Sequence, residues 1–352
     1  MRRFWSSAAR NIAPYVPGEQ PKLDNLVKLN TNENPYPPSP KVLAALQTEI
    51  AASLRLYPDP NADRIKTTLS ALHGLSPRHI FAGNGSDEVL AFIFQALLKH
   101  DHPVLFPDVT YSFYPVYCQL YEILFQTVPV TADLDIDIDD YRQPNGGIIF
   151  PNPNAPTGLP VARADIEKLL NRNTESVVVI DEAYVNFGAA SSIPLIETYP
   201  HLVVVRTLSK SHALAGLRVG FAMGHPELME ALERVKNSFN SYPLNRFSIT
   251  GAVAALEDQD YFEQTRRKIM DTRDFLTARM EKMGFLILPS QANFIFARHP
   301  RYDACDLARQ LRARSIIVRH FPLPRISQYL RITIGTDGQC EALLAALTEI
   351  LA

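Results

Sequence analysis

Cysteine is scarce: three residues in 352, Cys118, Cys305 and Cys340, too scattered for a CxxC pair or a disulfide framework. An odd number of widely spaced thiols fits a reducing compartment and a cytoplasmic chain. No charge of one sign dominates, since 35 Lys and Arg against 37 Asp and Glu leave a formal charge of −2. The chain therefore has no basic footprint for nucleic acid and no polybasic cluster for a membrane surface. Long apolar runs are also missing. The longest, Val89 to Leu98, is interrupted by Gln95 and falls far short of the ~20 residues of a membrane span. Ser6, Ser7 and Arg10 break any signal-peptide core after Trp5. Histidines come close only at His100 and His102, which two residues apart do not share a helix face, so no metal site is expected. Repeats and low-complexity tracts are absent.

What is there reads as a globular chain, 46% hydrophobic and long enough for two domains at about 150 residues each. Residues 1–30 read as an irregular, proline-rich arm. From about 40 to 240, short apolar runs alternate with helical patterns. Strands are expected at His79–Ala82, Pro103–Phe106, Gly147–Phe150, Val177–Ile180, Leu202–Arg206 and Arg218–Met223, with helices over Asp87–Lys99 and Arg163–Asn171. Unbroken runs such as Val-Val-Val-Ile suit strands buried on both faces, as in a mainly parallel sheet covered by helices. After residue 244 a long helix is expected over roughly Arg246–Met283. Short strands, a helix over Ala304–Arg314 and a last helix from about Gly338 follow, the order of a smaller α+β unit. The expected division is 31–243 for the large α/β domain, with 1–30 and 244–352 forming the arm and small domain.

Three segments carry chemistry. Gly83-Asn84-Gly85-Ser86-Asp87-Glu88 stands between a strand and an apolar helix, where free first-turn amides suit a phosphate; an ordinary capped helix would look the same. Glu88 occupies the third glycine of the dinucleotide fingerprint, which weakens a dehydrogenase reading. Asp181 follows Val177–Ile180, and ligands of open α/β sheets sit outside the carboxyl ends of strands. Lys210 comes twenty-nine residues later, about one strand–helix–strand unit, directly after the next buried strand, and Arg218 follows eight residues on. A lysine desolvated in such a cleft can lose its proton and condense with an aldehyde. An amine, an acid, a second cation and a helix-start anion site are the set that pyridoxal phosphate chemistry needs.

The order and local sequence resemble the fold-type-I, class II aminotransferases, and within them the histidinol-phosphate aminotransferase family. The resemblance runs from Tyr15 through the Arg331 segment. Its distinguishing stretches are Leu29–Pro35, Tyr57-Pro58-Asp59-Pro60, Asn154-Ala155-Pro156-Thr157-Gly158, Thr207–Lys210, Ala213–Arg218 and Leu330–Thr336. The resemblance implies that Lys210 bonds the aldehyde of pyridoxal 5'-phosphate and shuttles the substrate proton. It implies that Asp181 pairs with the ring nitrogen, Tyr184 bonds the ring's phenolic oxygen and Tyr111 stacks on the ring. Phosphate donors would be the Ser86 and Asp87 amides, the Ser209 hydroxyl, Arg218 and, from the neighbouring subunit of a homodimer, Tyr57. Relatives carry Asn directly before Pro-Thr-Gly where this chain has Ala155, so Asn154 is the expected substitute.

For the substrate, the resemblance places Arg331 at the α-carboxylate of glutamate or 2-oxoglutarate and at the phosphate of L-histidinol phosphate, with Arg319 and Tyr15 as further contacts. Arg325 competes with Arg319 and Tyr114 with Tyr111, while His212, just beyond the lysine, has no assigned role. The implied reaction yields imidazole acetol phosphate and glutamate in histidine biosynthesis. Aromatic amino acid transamination and threonine-phosphate decarboxylation are the alternatives. A cofactor-sensing transcription regulator would need a DNA-binding domain, for which the ~30 residues before Thr31 are too few.

Overall fold

In a computed structural model, residues 2–22 and 25–352 are described. The described residues form twelve strands: β1 (Val27–Leu29), β2 (Ile80–Asn84), β3 (Val104–Pro107), β4 (Phe125–Val128), β5 (Gly147–Pro151), β6 (Val178–Asp181), β7 (Leu202–Thr207), β8 (Val219–Gly224), β9 (Leu286–Ile287), β10 (Phe294–Arg298), β11 (Ile316–His320) and β12 (Leu330–Thr333). Their helices are α1 (Ser7–Asn11), α2 (Pro40–Glu49), α3 (Asp63–His73), α4 (Gly85–Leu97), α5 (Tyr114–Tyr121), α6 (Arg163–Arg172), α7 (Pro226–Phe239), α8 (Arg246–Glu257), α9 (Gln259–Lys282), α10 (Ala304–Ala313) and α11 (Asp337–Leu351).

The larger sheet has the order β2-β8-β7-β6-β5-β3-β4, parallel from β7 through β4, with β8 antiparallel to both its neighbours. Its sequence explains its burial. Val178, Ile180, Leu202 and Val204 enter one core, while Val179, Val203 and Val205 between them enter another on the opposite face. Successive side chains of a strand point to opposite faces, so a run with no polar residue can only sit between two helical layers. β4 carried no such signal: three of its four residues are exposed at the sheet edge.

The smaller sheet, β1-β11-β12-β10-β9, is mainly antiparallel, with β1 parallel to β11. Here the arm departs from the irregular chain expected of residues 1–30, because Val27–Leu29 pairs with Ile316–Val318. A three-residue strand owes its existence to the partner edge, which local sequence does not show.

The single helix expected over Arg246–Met283 is two helices, interrupted at Asp258 (φ −96°, ψ 64°). The Asp258 carboxylate accepts from the Ser39 hydroxyl and from Lys41 Nζ at 2.8 Å, and a short polar side chain engaged this way competes with helix continuation. The break also separates the cores. Leu244, Ile249, Ala252, Val253 and Leu256 belong to the larger one, whereas Ile269, Leu276 and Met280 belong to the smaller. The two helices thus serve different cores, α8 the larger and α9 the smaller. Among the described residues no helix is long and apolar enough to cross a membrane.

Candidate active site

A cavity of about 340 Å³ opens at the carboxyl ends of β6 and β7 and is closed on its far side by β11 and β12. It brings together eleven of the thirteen residues singled out from the sequence: Tyr15, Ser86, Asp87, Tyr111, Asp181, Tyr184, Ser209, Lys210, Arg218, Arg319 and Arg331.

Lys210 follows β7 by three residues, and its Nζ donates to the Thr31 carbonyl at 3.1 Å. Burial first, then the guanidiniums of Arg331 and Arg218, push this amine down to about 8, against the opposing pull of Glu33 and Asp87. An amine so held can supply its unprotonated, nucleophilic form near neutrality. Asp181 ends β6, fully buried, and burial pushes its carboxyl up to about 7. Its oxygens accept only from the Ala183 N–H at 3.2 Å and the Tyr114 hydroxyl at 3.3 Å. Among the described residues no cation pairs with it. A buried carboxylate facing a cavity without a positive partner suits a ligand that brings a cationic N–H.

The two strand ends are clamped from the other side of the sheet. Arg206 Nε and Nη2 donate to Glu182 Oε2 at 3.0 and 2.9 Å, and the Ser192 N–H donates to Glu182 Oε1 at 2.5 Å. The Glu182 side chain has no exposed surface.

At one end of the cavity α4 begins at Gly85, in left-handed conformation (φ 79°). A Cβ on Gly85 would collide with the Arg218 guanidinium, and one on Gly220 with the Ser86 amide nitrogen. Bare backbone therefore lets the helix start, Arg218 and the Thr207–Ser209 hydroxyls crowd one spot, and that set can hold a phosphate. Arg218 Nη2 meets Asp87 Oδ2 at 2.9 Å, and the Tyr111 hydroxyl donates to Asp87 Oδ1 at 2.9 Å, which fixes the Tyr111 ring as a wall.

At the other end Arg319 and Arg331 lie directly opposite each other on β11 and β12. Arg331 sits between the rings of Phe294 and Phe321, at 5.3 and 5.5 Å, and donates to the Asn30 carbonyl at 2.9 Å. Its Nε is buried without a partner, and among the described residues neither guanidinium pairs with a carboxylate. Two facing cations repel, so this end suits a doubly charged anion.

Two expected residues lie elsewhere. Asn154 is buried beside the cavity but does not line it: its Nδ2 donates to the Val109 carbonyl at 2.9 Å, and its Oδ1 accepts from the Thr110 hydroxyl at 3.3 Å. Ala155 lines the cavity instead, so the one-residue shift turns the Asn side chain into a loop anchor. Tyr57 is 79% exposed and stacks on Tyr242 at 4.6 Å, away from the cavity of its own chain. Of the competing residues, Arg325 is taken up by Asp108 at 2.9 Å, and Tyr114 is fully buried behind Asp181. His212 stacks flat on Phe262 at 4.5 Å, outside the cavity. Asn30, Thr31, Asn32, Thr207 and Phe321 line the cavity without having been assigned a part from sequence; three of them sit in the Leu29–Pro35 stretch, which was the available signal.

Residues 24–347 match the family model described as aminotransferase class I and II. The chain belongs to this family. It is 62% identical to histidinol-phosphate aminotransferase 1 of Methylococcus capsulatus, over all of this chain and 99% of the relative. It is 59% identical to the histidinol-phosphate aminotransferase of Aromatoleum aromaticum, over the full length of both. Among solved structures, the Sinorhizobium meliloti histidinol-phosphate aminotransferase in complex with pyridoxal-5'-phosphate superposes with a TM-score of 0.84 at 26% identity, over 92% of this chain and 90% of that one. The protein is an aminotransferase, and its cofactor is pyridoxal 5'-phosphate. The uncompensated Asp181 carboxylate, the Lys210 amine and the bare-backbone anion cup fit that cofactor's ring nitrogen, aldehyde and phosphate.

A pH prediction follows from Asp181. Below about pH 7 the carboxyl is neutral and cannot pair with a cationic ring nitrogen, so cofactor affinity should weaken up to about tenfold per unit as pH falls from 7. Asp181→Asn should bind more weakly at pH 8 and lack this step, as read by equilibrium titration of the cofactor-free proteins.

Proposed function

We propose that this aminotransferase exchanges an amino group between L-histidinol phosphate and 2-oxoglutarate, yielding imidazole acetol phosphate and L-glutamate, as in histidine biosynthesis. The observation that carries this reading is the pair of opposed guanidiniums, Arg319 and Arg331, at the end of the cavity away from the anion cup. Each partner of the exchange carries two negative charges, one on a phosphate and the other on two carboxylates, and a two-guanidinium end serves either in turn. The relatives at 59–62% identity carry the same substrate in their names.

Pyridoxal 5'-phosphate supplies an aldehyde for amine exchange and an electron-accepting ring. Around it, Asp181, buried and without a cation of its own, would hold the ring nitrogen protonated. Ser86, Asp87, Ser209 and Arg218 would hold the phosphate, and Tyr111 would wall the ring. Lys210, whose amine burial pushes down to about 8, would in its unprotonated form take the proton from the substrate's Cα and return one in the opposite half-reaction. Tyr15, its ring 4.7 Å from Phe113 and 6.3 Å from Tyr111, walls the substrate end and excludes water.

The working enzyme in this reading is a homodimer. Leu54, Leu56 and Tyr57 are all exposed in one stretch of chain, with Tyr242 stacked on Tyr57, and such apolar surface suits a subunit contact. Tyr57 then reaches the phosphate of the partner's site. The three cysteines are free thiols, in keeping with a cytoplasmic setting.

If the guanidinium pair selects the dianion, kcat/KM for histidinol phosphate should exceed that for phenylalanine. Arg319→Ala should lower the former roughly 10- to 100-fold, the loss of one charged hydrogen bond, and the latter much less; equal losses would favour the aromatic amino acid reading. Mixed dimers of Tyr57→Phe and Lys210→Ala chains should regain one working site per dimer, whereas sites built within one chain would show no restoration.

A further inference from the structure

Asn32 does not touch the substrate end, yet the structure surrounds it with unusually complete constraints. It is buried, lines the cavity and adopts the left-handed conformation (φ 57°), which asparagine tolerates better than most residues. Its carbonyl accepts from Asn293 Nδ2 at 2.9 Å. Its N–H donates to Thr333 Oγ1 at 3.0 Å, and the Thr333 hydroxyl donates to Asn32 Oδ1 at 3.0 Å. That hydroxyl has one hydrogen, and its use on Oδ1 fixes which side of the Asn32 amide is oxygen. The amide nitrogen consequently faces Tyr184 and donates to its Oη at 3.0 Å. With its oxygen accepting from Asn32, the Tyr184 phenol must send its own hydrogen elsewhere, and the remaining open direction is the cavity.

We infer that Asn32 is a positioning residue that makes Tyr184 a one-way donor into the cavity, with the direction set by Thr333 on the same strand as Arg331. The inference rests on the reading of this cavity as the cofactor site, where the Tyr184 phenol meets the ring's phenolic oxygen. Thr333 and Arg331 are two residues apart on β12 and face the same side, so the strand that carries the substrate guanidinium also orients the donor at the ring. The charged and titratable groups around the phenol are Arg331, Asp181, Asp87 and Tyr15; burial holds the phenol above its ordinary range, and the Asn32 bond opposes that. Ala155 lines the cavity without a hydrogen-bonding side chain, which leaves the ring oxygen dependent on Tyr184.

The test uses the holoenzyme and reads the pH midpoint of its visible absorption together with cofactor affinity. A donor to the ring oxygen favours the deprotonated form, so losing it raises the midpoint. Asn32→Gly, which keeps the backbone N–H and suits a left-handed φ, should raise the midpoint in the same direction as Tyr184→Phe, by about one unit or a tenfold change in proton affinity. Thr333→Val should raise it by less, and Thr333→Ser should restore it. In a Tyr184→Phe background neither Asn32→Gly nor Thr333→Val should shift the midpoint again. A second shift in that background, or an unmoved midpoint in Asn32→Gly alone, would overturn the inference while leaving the cofactor site standing. An unmoved midpoint in Tyr184→Phe would remove the Tyr184 placement and the inference together. Loss of visible cofactor binding on replacing Lys210 separates these outcomes from a failure of the site itself.

Discussion

The structure depends on keeping one amine dry. Lys210 Nζ has a single neutral acceptor, the Thr31 carbonyl, and lies within the field of Arg331 and Arg218. A solvated ammonium would be inert as a nucleophile, so the neighbouring elements that keep water from this group create the chemistry. The larger sheet provides the floor, because the adjacent parallel strands β6 and β7 deliver Asp181 and Lys210 to the same edge. The chain around Asn30–Asn34 provides the cover: Thr31 meets the amine, and Asn34 Nδ2 donates to the carbonyls of Lys210 and Ser211 at 3.0 and 3.3 Å.

Charge is laid out along the cavity with the same economy. A helix start and Arg218 make one end attractive to a phosphate, and two guanidiniums make the other attractive to a dianion. Between them stands a carboxylate whose own cation must come from the ligand. Each end is poorly satisfied alone, since the facing arginines repel and Asp181 is held partly protonated by burial. Binding relieves these penalties, so the fold spends stability on a cavity that cofactor and substrate complete.

Much of this was legible in the sequence because it depends on short-range pattern. Uninterrupted β-branched runs identify the doubly covered strands, and a polar residue directly after such a run lies at a carboxyl end, which puts Asp181 there and Lys210 three residues beyond the next strand. What escaped depends on distant partners. The three-residue β1 exists because β11 offers an edge, and the break at Asp258 exists because Ser39 and Lys41 claim its carboxylate. Asn154 lies beside the cavity because a one-residue offset reverses which side of a loop a side chain faces. Asn32 is oriented by Thr333, some three hundred positions away, and acts through the Tyr184 hydroxyl. Tyr57 points away from its own cavity, so the part proposed for it requires a second subunit.

The most direct test of the central claim is the protonation equilibrium of Lys210 itself. In cofactor-free protein labelled with ¹³C at lysine Cε, the resonance missing from Lys210→Ala identifies the residue, and its shift can be followed with pH. A midpoint near 8 is the expected result, and a midpoint near the ordinary 10.5 of a solvated lysine would contradict the account.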